Sequence, residues 1–183
     1  MSTLATRIQQ IRLRADRKRQ EKGLSLIEAS MVLALSAVVV AGVMFYYQSA
    51  SDNNKLQAAQ AELMGVVSTV NSLYAGQSTY SGLTTEQIIK GGQLPPSLVD
   101  TSSNTIKNPF GGSVAAAAAS DASTYTLTMK GVPRAPCVSM GSTQIGSSLV
   151  QLEVNSKAVD LSPASAVAAC TSDTSNSLVW TMR

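Results

Sequence analysis

The chain has 183 residues and no histidine, so any chemistry must come from carboxylates, thiols, hydroxyls and amines. Three positions stand out by type and setting. Glu28 is an acid at the threshold of an uncharged, largely apolar run from Ala29 to Tyr47, and Cys137 and Cys170 are the only two cysteines. An ionised acid costs on the order of 2.5–3.5 kcal/mol at the centre of a membrane span and less toward its edge, and one that finds a cation is penalised far less. Two thiols join in an oxidising compartment and stay as buried free thiols in a reducing one. The missing imidazole excludes Ser-His-Asp and Cys-His catalysis, and no HExxH, P-loop or GxGxxG pattern occurs. Two sulfurs without histidine also fall short of a four-ligand metal site. The sequence therefore nominates no catalytic residue, no metal and no cofactor, and reads as non-enzymatic.

The element that positions Glu28 is a long apolar helix. Ala29 to Tyr47 are nineteen residues without a formal charge, enough to cross a bilayer core at about 1.5 Å per residue. Residues 1–23 carry seven basic and two acidic side chains, a net of +5, while the remainder carries seven basic and nine acidic, a net of −2. A basic excess confined to one arm, without interleaved aromatics, argues against a nucleic-acid partner. Placed before an apolar span it holds the N-terminus on the cytoplasmic side and sends the rest across. Three readings of this region compete. A secretory signal would have a shorter apolar core and a small-x-small cleavage site. A plain anchor explains the length and the charges but not Glu28 or the Gly23 junction. The third is a cut between Gly23 and Leu24, which removes the arm and keeps the helix.

The residues "KG" followed by "LSLIEASMVLALSAVV" resemble the prepilin cleavage site of type IV pilins. A glycine stands before the cut, a hydrophobic residue after it, and a glutamate fifth in the mature chain. The long leader and Leu24 in place of phenylalanine are similar to the type IVb subclass of toxin-coregulated, bundle-forming and plasmid thin pili. The resemblance implies a prepilin peptidase that cuts after Gly23 and N-methylates Leu24. It also implies that Glu28 of one subunit meets the Leu24 amine of another during assembly. Helix geometry suits such charges, since four residues advance about 6 Å along the axis. The plainer alternative is a Glu28 that snorkels to the headgroups.

Beyond Gln48, apolar residues recur at Leu56, Ala59, Leu63, Val66, Val67, Val70, Leu73 and Tyr74, the three-and-four spacing of one helix face. One helix from Leu24 to about Ala75, stopped by Gly76, is expected. Its first half must be covered by lipid and then by other copies, and the small residues Ala29, Ser30, Ala34, Ser36, Ala37, Ala41 and Gly42 permit close approach. A head follows. "LTTEQIIKGG" reads as a short helix capped by Thr84 and stopped at Gly91, with Gln87 at the capping-box position. "SPASAVAAC" reads as another, with Ser162 as N-cap and Pro163 first. "LPPSLVD" and "NPFGG" are turn signals. "TYTLTMK", "VQLEVN" (alternating at Val150, Leu152 and Val154) and "SLVWTM" read as half-buried strands. The alanine run from Val114 to Ser120 fits either helix or strand.

The expected fold is α+β: a long N-terminal helix packed on an antiparallel sheet head. Residues 1–23 would be leader, 24–47 membrane and filament-core helix, 48–75 its amphipathic continuation and 76–183 the head. In a translocated head Cys137 and Cys170 are expected to pair, and in pilins such a bridge bounds a C-terminal variable region. The implied function is the major subunit of a filament for adhesion, aggregation or conjugation. Implied partners are other copies, the membrane before assembly, the peptidase, an assembly platform with its ATPase, and an outer-membrane secretin. The implied locations are the inner membrane and then the cell surface. A minor pilin, a secretion pseudopilin and a monomeric membrane-anchored binding protein are the alternatives.

Overall fold

The computed structural model describes residues 25–92 and 94–183; Gly23, Leu24 and the leader lie outside the described residues. The chain divides into two units, the described residues up to Ser49 and the head unit Ala50–Arg183. Helix α1, Leu26–Leu73, contributes to both. In its first half no large apolar side chain from Leu26 to Tyr47 is less than 56% exposed. This segment is long and apolar enough to cross a membrane.

In its second half α1 turns Ala59, Leu63, Val66, Val67 and Val70 into the head's core. The helix stops at Leu73, slightly before the expected Ala75, and Leu73 is 37% exposed. The Tyr74 amide still reaches the Val70 carbonyl at 3.0 Å, and the chain then turns at Gly76, whose φ of +82° favours glycine.

The head continues through α2 (Thr85–Lys90), a 3-10 turn (Pro96–Leu98), β1 (Val99–Asp100), β2 (Thr105–Lys107), β3 (Ser113–Ala118) and β4 (Tyr125–Val132). After these come α3 (Arg134–Gly141), β5 (Leu149–Val154), β6 (Lys157–Val159), α4 (Pro163–Ala169) and β7 (Asn176–Met182). The strands form one seven-stranded antiparallel sheet in the order β1-β2-β3-β4-β7-β5-β6. The pair β4 and β7 lies at its centre, and Tyr125, Leu127 and Met129 alternate inward opposite Met182, Trp180 and Leu178. These six are fully buried and share one core with the inner face of α1. The α+β architecture expected from the sequence is the one observed.

"TYTLTMK", "VQLEVN" and "SLVWTM" are β4, β5 and β7. Val150 is a correction: it is 57% exposed, because the register against β7 shifts between Leu149 and Gln151, and only Leu152 and Val154 point inward. The alanine run is strand β3, paired in register with β4 from Val114↔Met129 to Ala118↔Tyr125. Alanine's helix preference is overridden by that pairing and by Thr85, whose hydroxyl accepts the Ala116 amide at 3.0 Å.

Both short helices have the expected N-caps, the Thr84 hydroxyl accepting from Gln87 N at 3.4 Å and the Ser162 hydroxyl from Ser165 N at 3.2 Å. At the other end of α2, Gly91 remains right-handed and Gly92 takes the left-handed turn. Helix α3 has no counterpart in the sequence expectations. Pro133 and Pro136 obscure it, yet Pro136 falls in its first turn, where a missing N–H breaks no helical bond. Strands β1, β2 and β6 are two or three residues long, too short for alternation to register.

Candidate functional site

Glu28 occupies the first turn of α1. The Ser25 amide donates to its Oε2 at 2.8 Å, and the Ser25 hydroxyl accepts the Glu28 amide at 3.2 Å. This reciprocal pair is a capping box, and its Ser-x-x-Glu signature stands in the sequence at Ser25 and Glu28. The box answers part of the puzzle of the acid. Its charge sits at the positive end of the helix dipole and satisfies a backbone donor the helix cannot satisfy itself. Gly23 and Leu24, the other expected site residues, lie outside the described residues.

The surface that follows suits an apolar surround. Ser30 donates to the Ile27 carbonyl at 2.8 Å and Ser36 to the Val32 carbonyl at 2.7 Å, so both hydroxyls are satisfied within the helix. A Cβ built on Gly42 would meet nothing within 4 Å.

Cys137 on α3 and Cys170 at the end of α4 form a disulfide with Cα atoms 6.0 Å apart, both fully buried. The bridge ties together two helices that already approach closely, since a Cβ on Gly141 would lie 3.1 Å from the Ala166 Cβ. Asn176, 1% exposed, locks the same region. Its amide donates to the Val132 carbonyl at 3.0 Å and the Ser172 carbonyl at 2.7 Å, and its oxygen accepts from Ser172 N and Asn155 Nδ2. A network with every member satisfied fixes one arrangement. Nothing in the sequence distinguishes Asn176 from a turn asparagine.

Glu62 is a second acid, one that no sequence pattern singles out. It is only 4% exposed, and among the described residues neither carboxylate oxygen has a hydrogen-bond partner. It forms part of the wall of a groove of about 370 Å³ between Ala58, Ala61 and Gly65 of α1 and Leu94, Pro95 and Leu98. Burial raises its carboxyl pKa from 4.5 to about 7. Because the unfolded chain ionises this group at a lower pH than the folded head, the folded state binds the extra proton between the two values. The contribution is greatest below pH 4.5 and is lost as pH rises through about 7. The expected loss is on the order of 3 kcal/mol. Fluorescence of the single tryptophan, the buried Trp180, during denaturation of the detergent-solubilised chain at pH 5 and pH 8 measures it, and Glu62→Gln should flatten the difference.

A model of the bundlin family matches residues 48–183. The chain is 40% identical over 186 aligned residues to the major structural subunit of the bundle-forming pilus of Escherichia coli O127:H6 (strain E2348/69, EPEC), with 91% of this chain and 96% of the relative covered. The corresponding protein of Escherichia coli O111:H- matches with the same identity and coverage. The chain belongs to the bundlin family. Among solved structures, TcpA, a type IV pilin from Vibrio cholerae El Tor, superposes with a TM-score of 0.52 at 14% identity, covering 71% of this chain and 99% of TcpA. At that identity the likeness concerns the fold alone. The bundlin-family chain is thus a type IVb pilin, a structural subunit with an apolar N-terminal helix and a disulfide-bonded head.

Proposed function

We propose that this chain is the major subunit of a type IVb pilus, made as a prepilin and polymerised through the first half of α1. The observation that carries the reading is that half-helix. Its large apolar side chains are all more than half exposed, so lipid must cover them before assembly and other copies afterwards. The head, with its serine- and threonine-rich exterior, forms the filament wall. Residues 1–23 are the leader, 24–47 the core-forming segment, 48–75 its continuation into the head and 76–183 the rest of the head. The subunit waits in the inner membrane with its N-terminus cytoplasmic, and the finished filament is extracellular and serves adhesion, aggregation or mating.

The machinery follows from that route: a prepilin peptidase, an assembly platform with its ATPase, and a secretin for exit. Gly23 is the residue before the cut and Leu24 the residue whose amine is freed and methylated. Glu28 is the partner of that amine in a neighbouring copy, and the Cys137–Cys170 bridge stabilises the head outside the cytoplasm.

The test lies at the junction. Gly23 has no Cβ and lets a catalytic site approach the backbone, so Gly23→Leu should leave nearly all of the chain at full length in the membrane. Mass spectrometry of the membrane fraction reads the outcome, and a mature N-terminus at Leu24 in that variant would remove this reading of the leader. Filaments sheared from cells with the unaltered chain should contain it as their dominant protein. A trace amount would make it a minor pilin, and none would favour an anchored monomer.

A further inference from the structure

Glu62 presents a physical problem that the described residues of the isolated chain do not solve. A buried carboxylate without a partner is strongly disfavoured when ionised, and much of that penalty disappears once a cation and its hydrogen bonds are supplied. Among the described residues none supplies them. Lys55, the nearest basic residue along α1, lies two turns away, about 10 Å along the axis, and makes no ion pair with it. The adjacent groove is mostly apolar, with Ala58, Ala61 and Gly65 on α1 and Leu94, Pro95, Ser97 and Leu98 completing its lining. An apolar trough with one carboxylate in its wall matches a side chain with a methylene stem and a charged tip, which is lysine or arginine.

We propose that this groove receives a lysine or arginine side chain from a second copy of the chain, with Glu62 as its charge partner in the filament. The inference rests on the pilus reading above and adds to it a contact between heads. Two observations favour another copy over a different partner. The groove lies on α1, the same helix whose apolar half is to be covered by other copies on assembly, so a neighbouring copy is the partner at hand. The head also offers the cations. Lys90, Lys107 and Arg134 are held by Glu86, Asp100 and Asp173 of their own chain. Among the described residues Lys55, Lys130, Lys157 and Arg183 are exposed and have no ion pair. Glu62 already lines the groove that the incoming cation would enter.

The test uses cells expressing the full chain. Glu62→Gln keeps the volume and one acceptor oxygen but removes the charge, so filament yield should fall at least ten-fold while the amount of disulfide-closed subunit in the membrane is unchanged. Ala61→Trp, which fills the groove from an exposed position without touching the carboxylate, should have the same effect. Glu62→Lys should also abolish filaments, and one of Lys55→Glu, Lys130→Glu, Lys157→Glu or Arg183→Glu combined with it should restore at least half of the yield and so name the donor. Filaments at normal yield from Glu62→Gln, or no restoration by any of the four reversals, would overturn the proposal and leave the pilus reading intact. No filaments from the unaltered chain would overturn both.

Discussion

Gly112→Ala is expected to abolish the folded head. A Cβ at this position would lie 1.8 Å from the Lys130 carbonyl oxygen and 2.7 Å from its carbon. Both obstacles are backbone, so no side-chain rotation relieves the clash. The neighbourhood is also fixed by Asn108, 5% exposed, whose amide donates to that same Lys130 carbonyl at 2.7 Å. The Asn108 oxygen accepts the Phe110 and Gly112 amides, each at 3.0 Å. Moving either segment to admit a methyl group breaks these bonds and leaves buried polar groups unpaired. The destabilisation should therefore exceed the ~1–3 kcal/mol of ordinary overpacking. Immunoblots of whole cells should show little or no disulfide-closed subunit, whereas Gly42→Ala, which meets nothing within 4 Å, should leave the level normal. Accumulation of folded Gly112→Ala subunit would mean that the turn tolerates a side chain the geometry forbids.

This turn illustrates what was legible in the sequence. "NPFGG" reads as a turn from its composition, and a turn it is. That its second glycine is needed for space and not for a left-handed backbone was not legible, because the crowding comes from β4, which is distant in sequence. The facing Gly131, at φ +77°, sits where β4 shifts register against β7 between Met129 and Val132. The irregularity and the turn are thus two sides of one contact.

The same division recurs elsewhere. Patterns carried by neighbours along the chain were readable: the apolar span, the inner face of α1, the alternation in β4 and β7, and the caps at Thr84 and Ser162. Features decided by distant partners were not. The alanine run became a strand because Tyr125–Met129 was there to pair with it, and Val150 faces outward because of its register with β7. Asn176 and Glu62 look alike in sequence as ordinary polar residues. One is buried and makes four hydrogen bonds to three residues, the other is buried and makes none with any described residue. Within the candidate site the acid was legible and its partner was only half so. Ser25 is three residues from Glu28, and the capping signature was present beside the cleavage pattern that outweighed it.

That double placement gives Glu28 two competing explanations with different consequences. If the carboxylate serves only the capping box, Glu28→Val and Ser25→Ala each remove half of a reciprocal pair and should behave alike. Each would cost roughly 0.5–2 kcal/mol of local helix stability, and the long helix beyond would hold. Filaments should then form in both strains. If Glu28 neutralises the Leu24 amine of an adjoining copy, the two variants separate. Ser25→Ala keeps the charge and should still produce filaments. Glu28→Val should be cut after Gly23 and sit more comfortably in lipid, since it removes a charge from the edge of the span without altering the junction. It should nevertheless yield no filaments when it is the only subunit, because an incoming amine would be left unpaired in an apolar surround. Glu28→Asp, which keeps the charge one methylene shorter, should assemble partially. Electron microscopy of surface filaments, with immunoblots to confirm equal amounts of mature subunit, decides between the accounts. Abundant filaments from the valine variant would assign Glu28 to the helix start alone, and loss of filaments from valine but not from Ser25→Ala would assign it to assembly.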